Sequence, residues 1–109
     1  MKSIEDLLPL IDRKTRENSL KWSRETSDSF YCKILHYKIR IWKWTDVNTD
    51  ESGYSIAMID KSNETIDSIL ASEYNTKYER MENVFSIARR SALNVDSVIE
   101  EIEEALNKK

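Results

Sequence analysis

The feature that most constrains this chain is a run of fifteen residues, Phe30 to Trp44, in which large apolar and aromatic side chains are interleaved with Lys and Arg. Aromatic and β-branched residues suit a pleated, half-buried surface, so the run predicts β structure. A strand usually holds about 5–6 residues, and a run this long must double back on itself. A turn centred on Leu35-His36 opposes Ile34 to Tyr37, Cys32 to Ile39 and Phe30 to Ile41, which places six apolar or aromatic side chains on one face. His36 is the expected turn residue, because His tolerates left-handed backbone. The opposite face then carries Lys33 against Lys38, Tyr31 against Arg40 and Ser29 against Trp42, with Trp44 further out.

The flanking segments extend this hairpin into a sheet with helices. Ile4, Leu7, Leu8 and Ile11 fall at helical spacing behind Ser3, a suitable N-cap, with Glu5 and Asp6 at the positive end of the helix dipole. Pro9 predicts either a kink in that helix or a start near Leu8, since an interior proline removes a backbone hydrogen bond. Leu20 and Trp22 alternate as a short strand. After a polar loop over 45–53, Tyr54, Ile56 and Met58 alternate with Ser55 and Ala57; Lys61 to Glu64 reads as a turn and Thr65 to Leu70 as an edge strand. From Glu73 the period becomes helical through Tyr74, Tyr78, Met81, Phe85, Ala88 and Ala92, Asn94 closes that helix in left-handed backbone, and Asp96 caps a second one carrying Val98, Ile99, Ile102 and Leu106. The expected fold is α+β: an N-terminal helix, a four- to five-stranded antiparallel meander and two C-terminal helices packed on one sheet face, as a single domain over 1–109.

The scarce residue types exclude whole classes of chemistry. One glycine cannot build a dinucleotide fingerprint or a phosphate-binding loop, both of which need backbone close to phosphate. One Cys and one His supply neither an intramolecular disulfide nor a zinc site, and no calcium-binding loop pattern is present, so no metal or cofactor is expected. Cys32 and His36 lie four residues apart on a predicted strand, roughly 13 Å at about 3.3 Å per residue, too far to share a proton. These exclusions favour a protein that is not an enzyme. No apolar stretch approaches the roughly 20 residues that span a bilayer, and the start resembles no signal peptide, so a cytoplasmic protein without a membrane partner is expected.

Three features remain for function. On the outer hairpin face, Tyr31, Lys33, Lys38, Arg40, Trp42 and Trp44 combine aromatic planes with cations, a combination suited to a protein interface or to stacking a base while meeting phosphate; alternatively a helix or loop covers this face. Arg89 and Arg90 lack an acid at i−4 or i+4, leaving each to meet an anion or partner, or to reach an acid elsewhere in the fold. The acidic helix from Glu100 to Glu104 is either a solvated face, a surface for a basic protein partner, or a mimic of nucleic acid. Charge divides along the chain: residues 1–44 hold ten basic and six acidic side chains, net +4, and residues 45–109 hold seven and fourteen, net −7.

The segment Ala88-Arg89-Arg90-Ser91-Ala92-Leu93-Asn94-Val95-Asp96, following a Lys21-Trp22 strand and an Ile66-Asp67-Ser68-Ile69 strand, resembles small uncharacterised proteins of bacteria and their phages. In that pattern glycine often stands where this chain has His36 and Asn94. The resemblance implies a helix, four strands and two helices in that order and a mobile-element setting, and it brings no activity. The function expected from these readings is stoichiometric binding of a protein, as an inhibitor or accessory factor of a phage or mobile element, antagonism of bacterial defence being one such role. The alternative is a nucleotide-binding protein that sequesters a nucleotide signal or holds a short single strand. A sheet covered on one side only also favours a homodimer.

Overall fold

A computed structural model describes residues 2–109, and in it the Phe30–Trp44 run folds back at Leu35-His36 into β2 (Ser29–Ile34) and β3 (Tyr37–Thr45). The pairing matches the register that burial dictates, with Phe30 opposite Ile41, Cys32 opposite Ile39 and Lys33 opposite Lys38. The remaining elements are α1 (Ile4–Arg16), β1 (Trp22–Thr26), β4 (Ser52–Ile59), β5 (Thr65–Ser72), α2 (Tyr78–Ala92) and α3 (Val95–Asn107). All five strands pair antiparallel in sequence order, so the α+β meander has five strands, one more than the resemblance implied.

One sheet face carries the core. Trp22, Phe30, Cys32, Ile39, Ile41, Tyr54, Ile56, Ile69 and Ala71 meet Ile4, Leu8 and Ile11 of α1 and Met81, Val84, Phe85 and Ala88 of α2. Phe85 packs between Phe30 and Tyr54, with ring centroids 5.4 and 5.1 Å away, so the centre of α2 sits over the middle strands. Four of the six hairpin side chains expected inside are buried; Ile34 and Tyr37 are 39% and 36% exposed, because they lie at the tip.

Several local readings are corrected. Pro9 lies within α1, which starts at Ile4 and not near Leu8. The first turn is held in spite of Pro9, since the Asp6 carboxylate accepts from the Ser3 N–H at 2.8 Å and Asp67 of β5 accepts from the Ile4 N–H at 2.9 Å. Left-handed backbone falls on Leu35, φ 59°, and not on His36. Tyr74 is exposed in a turn before α2, so the helix begins at Tyr78. Asn94 does adopt left-handed backbone, φ 55°, but α3 starts directly after it, with Asp96 in the first turn instead of at the cap.

The largest correction concerns α3. It packs on the end of α2 and not on the sheet. No residue of α3 is buried, because the sheet face that α3 was expected to cover is already filled by α1 and α2.

Candidate functional site

The outer sheet face follows from strand alternation: each residue beside a core position points the other way. It gathers Ser23, Tyr31, Lys33, Lys38, Arg40, Trp42, Trp44, Gly53, Ser55 and Ala57 into adjacent rows of β1 to β4. None of these belongs to the helix-covered core, and the expected residues Tyr31, Lys38, Arg40, Trp42 and Trp44 are half-buried, with Lys33 exposed. Six of the eight candidate residues therefore share one surface. The two arginines of α2, Arg89 and Arg90, lie on the helix layer and do not join them.

Small residues on β4 shape this surface. Gly53 pairs with Trp44, and a Cβ at Gly53 would stand 2.7 Å from Trp44 Cζ2, so the indole lies directly over the glycine. Ser55 and Ala57, opposite Trp42 and Arg40, are buried although no helix packs on them. Trp44 of β3 thus leans over Gly53 of β4. Trp44 Nε1 and Arg40 Nε are enclosed without a hydrogen-bond acceptor among the described residues.

Charges on the face are partly neutralised. Arg40 donates to Glu25 at 2.9 Å, and Glu25 also accepts from Ser29 Oγ at 2.7 Å, so Arg40 is held by an acid that strand reading did not bring to it. Lys38 Nζ stands 5.1 Å from the centroid of the Tyr31 ring, a cation–π arrangement. Lys33 opposes Lys38 directly. Beside Trp42 a shallow cleft of about 250 Å³ is lined by Glu25, Asp28, Arg40 and Lys43.

The arginines of α2 differ. Arg90 donates to Asp96 at 2.9 Å, bridging α2 and α3 across Asn94, so its acid lies elsewhere in the fold. Arg89 is exposed. Between α1 and α2 a polar groove of about 520 Å³ contains Glu5, Asp12, Arg16, Lys77 and Arg80. Their charges meet one another, Lys77 to Glu5 at 3.0 Å, and Arg16 and Arg80 to the buried Asp12 at 3.2 and 3.4 Å. The Lys77–Glu5 and Arg80–Asp12 pairs tie α1 to the N-terminal end of α2, while Arg16–Asp12 lies within α1.

Cys32 is enclosed, and burial pushes its thiol up to about 12, far from a reactive thiolate; His36 stands exposed at the hairpin tip. Sequence reasoning missed an apolar groove of about 300 Å³ between α1 and that tip, walled chiefly by Leu7, Leu10, Leu20, Ile34, Leu35 and Tyr37. An apolar Leu at a turn position was its one visible sign. Among the described residues no helix is long and apolar enough to cross a membrane. No family model, curated protein or solved structure matches the chain.

Proposed function

We propose that this chain is a small non-enzymatic protein-binding module that acts stoichiometrically and engages its partner through the outer face of the sheet. The observation that carries this reading is the half-buried pair Trp42 and Trp44, set among Tyr31, Lys33, Lys38 and Arg40 on a face that neither α1 nor α2 packs against. Trp, Tyr and Arg dominate the energetics of protein interfaces, and all three residue types are present on this face. Lys33 and Lys38 repel across the hairpin, and a carboxylate on the partner relieves that repulsion, so an acidic protein surface is the fitting occupant. The phage or mobile-element setting, as an inhibitor or accessory factor, rests on the resemblance of the 88–96 segment alone.

Nucleotide sequestration has less support. The cleft beside Trp42 is lined by the carboxylates of Glu25 and Asp28 as well as by Arg40 and Lys43, and the acids offset the attraction of the cations for phosphate. Affinity capture from a host lysate, run in parallel with the wild type and a Trp42→Ala/Lys38→Glu variant, tests the proposal. A partner retained by the wild type and reduced at least tenfold on the folded variant is expected. Equal retention by both removes the sheet face as the binding surface, and tryptophan quenching by added nucleotide without any protein partner would favour the alternative.

A further inference from the structure

The polar groove between α1 and α2 is organised around one carboxylate. Asp12 is nearly enclosed, its side chain 9% exposed, and two guanidinium groups converge on it. Arg16, one turn further along α1, donates from Nε to Asp12 Oδ1 at 3.2 Å, while Arg80, reaching across from α2, stands 3.4 Å from Oδ2 as an ion pair without a hydrogen bond. One carboxylate balances one guanidinium, so the trio keeps a positive charge. Both arginines line the groove with side chains 59% and 47% exposed, which leaves their forks accessible from it. Asn83, one turn beyond Arg80 on the same side of α2, lines it beside them. The remaining charges on the wall are Glu5 and Lys77, paired with each other at 3.0 Å, and Glu79.

We propose that Arg16 and Arg80 clamp the phosphate group of a small phosphorylated molecule, with Asp12 as the positioning residue that holds the two forks side by side. An arginine presents its donors in a rigid plane that matches the oxygens of phosphate or carboxylate. Donor number favours phosphate: two forks and the Asn83 amide make three donor groups, and a phosphate monoester offers three terminal oxygens where a carboxylate offers two. The groove, about 520 Å³, falls within the ~300–1,000 Å³ of small-molecule sites and exceeds a bare phosphate, so the organic part lies along Leu8 and Pro9. Side chains here take the part that a glycine loop plays elsewhere, in a chain with one glycine. The site belongs to the helix layer, opposite the outer sheet face, and stands independently of protein binding there.

Isothermal titration of the full chain with phenyl phosphate, and with benzoate as its carboxylate counterpart, tests this. Saturable binding of phenyl phosphate is expected. Arg16→Lys and Arg80→Lys keep a cation beside Asp12 and remove the fork, so each folded variant is expected to bind at least about tenfold more weakly. Glu79→Gln takes an acid off the wall and is expected to tighten binding. The proposal is overturned by a lack of saturation at about 10 mM, where a millimolar site is filled, by unchanged affinity in either lysine variant, or by benzoate binding as tightly as phenyl phosphate.

Discussion

Leu35 shows how a residue can satisfy a turn without being the residue that propensity names. His36 is the more tolerant of left-handed backbone, yet the positive φ falls on Leu35, the first of the two central residues of the hairpin turn. Leu35→Asn is expected to raise stability by about 1 kcal/mol in urea titration, because Asn tolerates left-handed backbone better than Leu. At Gly53 a Cβ would stand 2.1 Å from the Ala71 carbonyl oxygen, a backbone atom with little room to yield. Gly53→Ala is therefore expected to cost about 1–3 kcal/mol and to shift the emission of the displaced Trp44. Burial raises the Cys32 thiol from 9.0 to about 12, and burial followed by the charge of Glu82 raises the Tyr54 phenol from 10.0 to about 12. Both groups ionise first in the unfolded chain, so their contribution is whole below about pH 9 and is lost as pH rises toward about 12. Urea midpoints should accordingly fall between about pH 8 and about pH 11; equal midpoints would contradict this burial.

At the scale of elements, the hairpin was legible to the residue, because Phe30, Cys32, Ile39 and Ile41 leave one register that buries all four. Helix content at the C-terminus was equally legible from spacing. The place of α3 was not: Val98, Ile99, Ile102 and Leu106 mark an apolar face without saying what meets it, and the Arg90–Asp96 pair spans a helix break that i, i+4 counting does not cross. Glu25 escaped for a related reason, since its approach to Arg40 depends on the irregular β1–β2 register after Arg24. Because α3 contributes no buried residue, deleting 95–109 should change monomer stability by no more than about 0.5 kcal/mol. Loss of cooperative unfolding in that truncation would show that α3 belongs to the core.

The whole molecule is longer than its chain length requires. Its radius of gyration is 15.7 Å, against about 13 Å for a compact domain of this size, and its longest extent is 57 Å. The division of charge is carried into separate surfaces, with basic side chains around the hairpin and acidic ones along α3. Sequence could name the apolar face as the one the helices pack on but not whether the outer face would also be covered, since that depends on how α1 and α2 share one face. The central claim is that the bare face binds protein. Hydroxyl-radical footprinting of the captured complex against the free protein tests it most directly. Oxidation at Tyr31, Trp42 and Trp44 is expected to fall several-fold on binding while buried Trp22 stays low in both states, and undiminished oxidation at Trp42 and Trp44 in the complex would contradict the account.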